Sequence, residues 1–302
     1  MDFVYDKKIL FSLIFILSLA FTRNPGLRMQ HLKVAYVYRW INGNFGQVIN
    51  YRRVEFKGLE NNRIIGGHRA NIKDYPFMAY LAKTAAADWG NFRGGASIVS
   101  SHWALTAAHC MLFISDYEIE EGRAFVRGNT SFWKWNYTEH MIVKSIVHEL
   151  YDTYTNDYDI ALLKVDSAFD GKYERPIPLV DSDYEYDVGS EVTALGWGTT
   201  DADIGSVSDE LNYVDVHIID HGKCHDLLGG ESTLQLTDRM VCAMAPGKDA
   251  CVYDSGGPLI QNGLLIGIVS WGPIPCADPT EPGVYTKVSY FSSWIRRTMT
   301  SN

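Results

Sequence analysis

The chain has 302 residues, 46% of them hydrophobic, with 27 Lys and Arg against 36 Asp and Glu. That apolar content excludes a disordered chain, and the length allows roughly one to three domains with buried cores. The net charge of -9 argues against a nucleic-acid-binding protein, which needs a basic face. The chain has five cysteines, an odd number, so at least one is left out of any disulfide pairing.

The first twenty residues have the pattern of a secretory signal peptide. Lys7 and Lys8 precede a mostly apolar run, 9–21, which is shorter than the roughly 20 residues that cross a bilayer. Ser18 and Ala20 are small and suit cleavage after Ala20. We therefore expect residues 1–20 to be removed and the protein to be secreted, an uncleaved signal anchor being the alternative. No other stretch predicts a membrane span.

Charge divides the remaining chain into two parts. Residues 21–63 carry eight Lys and Arg and two Glu, whereas residues 64–302 carry 17 Lys and Arg and 32 Asp and Glu. A basic propeptide that docks on an acidic domain would explain this contrast, and so would two unrelated surface compositions. Residues 21–63 show no clear periodicity and are expected to be linker-like or only locally folded.

The acidic part has the pattern of an all-β protein. Short β-rich runs recur between Gly and Pro turns, which is typical of a sandwich or barrel. The clearest runs are 96–99, 141–147, 160–165, 191–195 and 264–270. Residues 289–299 place Phe291, Trp294, Ile295 and Met299 on one helical face, which predicts a C-terminal amphipathic helix.

Three short motifs carry the chemistry. They are Thr106-Ala107-Ala108-His109-Cys110, then Asp157-Tyr158-Asp159-Ile160-Ala161, then Asp254-Ser255-Gly256-Gly257-Pro258. Taken singly, each is more often structural than catalytic. Together, in the order His, Asp, Ser, they match one arrangement for nucleophilic catalysis, in which an imidazole held by a carboxylate takes the serine proton.

Residues 64–302 resemble the chymotrypsin-type serine proteases along nearly their whole length. The family's other motifs follow in order: Ile64-Ile65-Gly66-Gly67 after Arg63, then Gly196-Trp197-Gly198, Ser270-Trp271-Gly272 and Pro282-Gly283-Val284-Tyr285. The resemblance implies two packed, antiparallel six-stranded β-barrels, about 64–180 and 181–302, with the site between them. It implies that His109 is the general base and acid, that Asp159 orients it, and that Ser255 is the nucleophile.

The resemblance also implies activation by cleavage. Arg63-Ile64 is an acceptable bond for a trypsin-like protease, and cutting it frees the Ile64 ammonium. In the family this ammonium pairs with the carboxylate before the nucleophile, here Asp254. Breaking a buried ion pair is costly, so such a pair can order the site. An uncut surface loop at Arg63 is the other reading.

The specificity residues follow from the same resemblance. Asp249 stands where the family places the floor of the primary pocket, and Ser270, Gly272 and Gly283 stand at its walls. A carboxylate there would bind Arg or Lys of a protein or peptide substrate. Ala250 offers no hydroxyl to an ammonium, whereas a guanidinium can pair with the carboxylate alone, so we expect Arg to be preferred. The alternative is that Asp249 is simply a charged residue on a surface loop.

Tyr253 is the main departure from the family pattern. Glycine usually stands there, and its N–H joins that of Ser255 in the oxyanion hole. The backbone conformation costs a residue with a Cβ, and a missing donor loses about 10²–10³ in rate. Either Tyr253 keeps its N–H in place, with its ring crowding the leaving-group side, or the N–H turns away. The alternative function is accordingly a weak or inactive homologue that binds a protein partner.

The cysteines are the second departure. The resemblance implies the disulfides Cys224–Cys242 and Cys251–Cys276. It would pair Cys110 with a cysteine near Gly94, but Arg93 stands there, so Cys110 is predicted to be free. A buried structural thiol is expected, with a reactive or intermolecular thiol as the other reading.

The sequence also bears on glycosylation, metal binding and protein partners. Sequons at Asn129 and Asn136 predict glycosylation of a surface loop. The stretch 128–140, where some relatives bind calcium, offers only Glu139, so no metal and no cofactor is expected. We expect a monomer, activated by a trypsin-like protease and open to protein inhibitors, with no nucleic-acid or membrane partner.

Overall fold

A computed structural model describes strands 14–17, 34–41 and 44–48 by their backbone, and residues 66–84, 92–199, 207–229, 236–273, 276, 278 and 280–302. The chain divides into two compact units, 1–59 and 60–302. Most of the predicted signal peptide, and the predicted activation residues Arg63 and Ile64, lie outside the described residues.

The first unit contains a three-stranded antiparallel sheet. Its strands are β1 (Ile14–Leu17), β2 (Val34–Ile41) and β3 (Asn44–Val48), in the order β1-β2-β3. The sequence contains a signal for this hairpin, although it shows no clear periodicity there. Asn42-Gly43, between β2 and β3, is the residue pair that most favours a tight two-residue hairpin.

A closed barrel begins the second unit. Strands in the order β10-β7-β6-β5-β8-β9 form it, all pairing antiparallel. The strands are β5 (Met78–Lys83), β6 (Phe92–Ser100), β7 (Trp103–Thr106), β8 (Ala124–Gly128), β9 (Thr138–Val147) and β10 (Ala161–Val165).

A second six-stranded barrel follows. Its order is β11-β14-β15-β16-β13-β12, and β12 pairs back onto β11 to close it, while the short β4 (His68–Arg69) adds to β12. The strands are β11 (Glu191–Gly196), β12 (Asn212–Ile218), β13 (Met240–Met244), β14 (Pro258–Gln261), β15 (Leu264–Trp271) and β16 (Gly283–Lys287). The prediction of two six-stranded antiparallel barrels is confirmed.

Short helices connect the strands. They are a 3-10 helix (Ala108–Phe113), α1 (Asp116–Glu120), α2 (His221–Leu227) and the C-terminal α3 (Val288–Ser301). On α3, Phe291 and Ile295 are fully buried and Trp294 and Met299 pack against the core, as the helical periodicity predicted.

An aromatic cluster joins the inner faces of the two barrels. Tyr80 of β5 stacks on Phe92 of β6 at 5.3 Å and meets Trp197, which follows β11, edge-on at 5.2 Å. The Trp197 indole N–H donates to the backbone oxygen of Ser131 at 3.0 Å. Large aromatic rings bury much area and pack in preferred geometries, so this cluster contributes to the packing between the barrels.

A buried polar pair lies in the first barrel. Glu174 is fully buried; its Oε1 lies 3.0 Å from His140 Nε2, and its Oε2 accepts the Gly171 N–H at 2.8 Å. Such groups cost free energy when they lose their partners.

We predict that Glu174→Ala lowers the free energy of unfolding by about 3 kcal/mol, because it leaves buried donors unpaired. Denaturant unfolding of the uncut protein measures this. Asp181→Asn is the control, since Asp181 pairs with Arg296 on the surface and should cost less than about 1 kcal/mol. Equal losses in the two variants would contradict the prediction.

Candidate active site

A buried carboxylate holds the imidazole of His109. β7 ends at Thr106, and the chain turns at once into the 3-10 helix that carries His109. Asp159, just ahead of β10, is fully buried; its Oδ1 accepts the His109 backbone N–H and its Oδ2 faces His109 Nδ1, both at 2.8 Å. A proton on Nδ1 satisfies the carboxylate and leaves Nε2 as the basic nitrogen.

The second barrel completes the environment of Asp159. The Ser270 hydroxyl, on β15, donates to Asp159 Oδ2 at 2.5 Å, and the Thr286 hydroxyl, on β16, donates to its backbone oxygen at 2.9 Å. A buried charge is tolerated when several donors surround it. Asp159 therefore stays a hydrogen-bond acceptor without contact with solvent.

Ser255 projects from a tight turn that only glycine neighbours permit. The Gly95 N–H donates to the Ser255 backbone oxygen at 2.7 Å. Gly256 has φ +81°, and a Cβ there would lie 2.3 Å from the Thr106 hydroxyl oxygen. Ser255 and His109 line the same cleft.

The Cys110 sulfur adds to the electrostatics of His109. It lies 3.7 Å from His109 Nε2. Burial disfavours the charged imidazolium, but Cys110 and the Asp159 carboxylate outweigh that effect and raise the pKa of His109. The imidazole is thus a stronger base than an exposed histidine.

Two glycines make a cradle for the Asp254 carboxylate. A Cβ on Gly196 or on Gly198 would lie 2.0 or 2.2 Å from its oxygens. The N–H groups of Gly198 and Cys251 donate to it at 2.7 and 2.9 Å. Burial raises the pKa of Asp254 to about 6, against the opposing effect of these two donors. The Gly-Trp-Gly motif was visible in the sequence, but its role as this cradle was not.

A cavity of about 210 Å³ is lined by both Ser255 and Asp249. Asp249 is 4% exposed. Ser270 and Gly272 line the cavity, and a Cβ on Gly283 would come within 3.0 Å of the Asp249 carboxylate. The residues expected to frame the primary pocket therefore line one cavity, and one of them is the carboxylate of Asp249.

Tyr253 takes the backbone conformation that glycine favours. Its φ is +77°, in the left-handed region, and its side chain is 36% exposed. The ring meets Phe92 edge-on, with centroids 6.4 Å apart, on the His109 side of the cleft. The chain thus accepts backbone strain here and places a large ring beside the nucleophile.

The Val252 carbonyl indicates which way the Tyr253 N–H points. That carbonyl accepts the Thr199 N–H at 2.9 Å. In a trans peptide the carbonyl and the following N–H point in opposite directions. The Tyr253 N–H is therefore directed away from Thr199.

The cysteines pair as expected. Disulfides join Cys224 to Cys242 and Cys251 to Cys276, and Cys110 is a free thiol that is 1% exposed. The buried structural thiol, the first of the two readings, agrees with this exposure.

The two sequons differ in accessibility. Asn136 is exposed, whereas Asn129 is half-buried, donating its side-chain amide to Thr138 and accepting the Tyr173 N–H. Glu139, the one carboxylate of this stretch, pairs with Arg127 at 2.6 Å. Within the described residues, no group of three or more His, Cys, Asp or Glu could hold a metal ion.

Sequence reasoning missed several residues that line the cleft with His109 and Tyr253. Lys83, Phe92 and Glu118 line it, and Arg93 had been considered only as a missing cysteine. These residues come from separate strands and a helix, so no local motif unites them.

Comparisons with known proteins agree with this geometry. The family model "Trypsin" matches residues 64–295. The chain belongs to the trypsin family of serine proteases. Hypodermin-A of Hypoderma lineatum is 38% identical over 236 residues, 78% of this chain and 87% of that protein. Trypsin epsilon of Drosophila erecta is 34% identical over 239 residues, which cover 79% of this chain and 88% of that protein.

A solved structure supports the same fold. Neuropsin, a serine protease expressed in the limbic system of mouse brain, is 30% identical with a TM-score of 0.66, over 77% of this chain and 98% of that one. This trypsin-family protease is a hydrolase that acts on protein substrates. Among the described residues, no helix is long and apolar enough to cross a membrane.

The raised pKa of His109 generates a prediction about pH. If His109 is the general base, as the sequence predicts, catalysis needs its neutral form, and kcat/KM should fall as the pH drops through its pKa. Cys110→Ala removes one cause of the raised pKa, and the acidic limb of the pH profile should move to lower pH. Cys110→Ser, closer in size, should shift the limb similarly; an unchanged limb in both variants would refute this role of the sulfur.

Tyr253 generates a second prediction. Tyr253→Gly removes strain of about 1 kcal/mol or more and should raise the unfolding free energy. It should also strengthen inhibition by protein inhibitors that bind like substrates, because it removes the ring. Unfolding and inhibition constants measure both effects. Tyr253→Phe keeps the ring and the strain, so it should match the parent; a gain in that variant would argue against the strain account.

Proposed function

We propose that this protein is the zymogen of a secreted, monomeric endopeptidase that cleaves after Arg, and less well after Lys. The observation that carries the proposal is the buried Asp249 carboxylate in the lining of the cavity that also contains Ser255. A carboxylate can bind a guanidinium through two parallel hydrogen bonds. The glycines Gly272 and Gly283 leave room for a long side chain.

The reaction follows from the arrangement of three side chains. His109 Nε2 takes the proton of the Ser255 hydroxyl, whose oxygen attacks the scissile carbonyl. His109, now charged, is stabilised by Asp159 and gives its proton to the leaving amine. Water then repeats the sequence on the acyl-enzyme and releases the acid product.

The charge on the carbonyl oxygen needs donors at the moment of attack. The N–H groups of Tyr253 and Ser255 are the candidates. The anchored Val252 carbonyl supports this role, because it directs the Tyr253 N–H away from Thr199. Tyr253 would thus supply the donor that a glycine supplies in relatives, at the expense of strain.

Activation would depend on Asp254. Within the described residues no cationic side chain pairs with this buried carboxylate, and its pKa is raised to about 6 by burial. An ammonium of Ile64, freed by another trypsin-like protease cutting after Arg63, would supply the opposite charge. The pair would stabilise the loop that carries Val252 and Tyr253.

The test uses the full chain cut after Arg63, with the Ile64 amino terminus verified by mass spectrometry. We predict hydrolysis of a peptidyl-Arg nitroanilide, slower hydrolysis of the matched Lys substrate, and none by Ser255→Ala. Asp249→Ser should lose about 10²–10³-fold in kcat/KM for Arg, since it removes a buried charge partner.

Arg63→Gln, treated in the same way, is the control for activation and should stay inactive. Equal rates for Arg and Lys would overturn the Arg preference. Turnover that persists in Ser255→Ala would overturn the assignment of the nucleophile.

A further inference from the structure

A second cavity lies on the other side of Ser255 from the Asp249 pocket. Its volume is about 830 Å³, and it shares Val252 and Ser255 with that pocket. His109 and Tyr253 line it, and so do Lys83, Arg93 and Glu118. The two cavities together make one continuous path past the nucleophile.

The direction of the substrate follows from the role of His109, and so this inference rests on the proposed function. When the arginine side chain fills the Asp249 pocket, the scissile carbonyl lies at Ser255. His109 gives its proton to the leaving amine, so that amine must lie on the His109 side. The residues that follow the cleaved bond would therefore enter the second cavity.

Among the described residues that line this cavity, the cationic side chains of Lys83 and Arg93 outnumber the one carboxylate, that of Glu118. Glu118 pairs with Lys83 at 2.7 Å and also accepts hydrogen bonds from the N–H and hydroxyl of Ser115. These partners hold the pKa of Glu118 at about 2, so its carboxylate is ionised and engaged. Arg93 remains as the second cation.

Arg93 is positioned but not neutralised. Its guanidinium donates to the Phe92 backbone oxygen at 2.8 Å, and among the described residues no carboxylate lies within ion-pair distance of it. Burial disfavours its charge and lowers its pKa, against the opposing effects of Glu118 and Tyr253, and a guanidinium stays protonated at neutral pH. Because the Glu118 carboxylate is already paired with Lys83, Arg93 can form a further charge-assisted hydrogen bond with an anionic ligand.

We propose that Arg93 makes the leaving-group side of the cleft selective for peptides with Asp or Glu among the first two residues after the cleaved bond. The carboxylate would accept hydrogen bonds from the guanidinium nitrogens that Phe92 does not use. A hydrogen bond to a charged group contributes about 1.5 kcal/mol or more, which corresponds to a preference of roughly tenfold.

The experiment compares quenched fluorescent peptides that differ at one position. All carry the same sequence up to the cleaved Arg, with Glu, Gln or Lys at the first or the second position after it. We expect the activated enzyme to favour Glu over Gln about tenfold in kcat/KM at one of these positions, and Lys to be poorest. The preference should shrink in high salt, which screens charges.

Three variants test whether Arg93 is the cause. Arg93→Gln should bring the Glu-to-Gln ratio to about one, and Arg93→Lys should restore part of it. Lys172→Gln is the control, because it removes the same charge at an exposed position outside the cleft and should leave the ratio unchanged. A ratio near one in the parent, or an unchanged ratio in Arg93→Gln, would overturn the proposal.

The nitroanilide substrate separates this proposal from the proposed function, since it has no residue on the leaving-group side. If the parent does not hydrolyse it, the proposed function fails. In that case, affinities of the Glu and Gln peptides for the Ser255→Ala protein test Arg93 by binding alone. Equal affinities would overturn the proposal, and tighter binding of the Glu peptide that Arg93→Gln abolishes would support it.

Discussion

The buried carboxylate of Asp159 is the interaction on which the site depends. It belongs to the first barrel, as His109 does, yet its Oδ2 and its backbone oxygen accept hydroxyls from Ser270 and Thr286 of the second barrel. An ionised group without contact with solvent is tolerable only while these donors stay in place. The orientation of the His109 imidazole therefore depends on the relative position of the two barrels. A shift of either barrel would disturb that imidazole.

Asp254 and Tyr253 show how the same turn stores free energy. The Asp254 carboxylate is buried in a cradle of backbone. Tyr253, the preceding residue, has a left-handed backbone conformation although it carries a full side chain. Strain of this kind persists where surrounding contacts determine the backbone. Here the surrounding contacts are the Cys251–Cys276 disulfide and the hydrogen bond from the Thr199 N–H to the Val252 carbonyl.

Local motifs made the sequence informative about the catalytic residues. His109, Asp159 and Ser255 each lie within a short run that also forms the nearby turn, so family resemblance could identify them and the disulfides. The leaving-group cleft could not be predicted, because Lys83, Arg93 and Glu118 meet only when the barrel closes. The hairpin of β2 and β3 was not predicted for another reason: its strands show no clear periodicity, and its signal is the Asn42-Gly43 turn.

The two proposed preferences bear on how a zymogen of this protein would be cut. In these proposals Asp249 would attract a basic residue before the bond, and Arg93 would attract an acidic one after it. The bond after Arg63 satisfies the first condition but not the second, since Ile64-Ile65-Gly66-Gly67 contains no carboxylate. An enzyme whose leaving-group side favours acidic residues is thus a poor catalyst of its own activation. That mismatch favours control by a separate trypsin-like protease, and it would keep a small amount of active enzyme from converting the remaining zymogen.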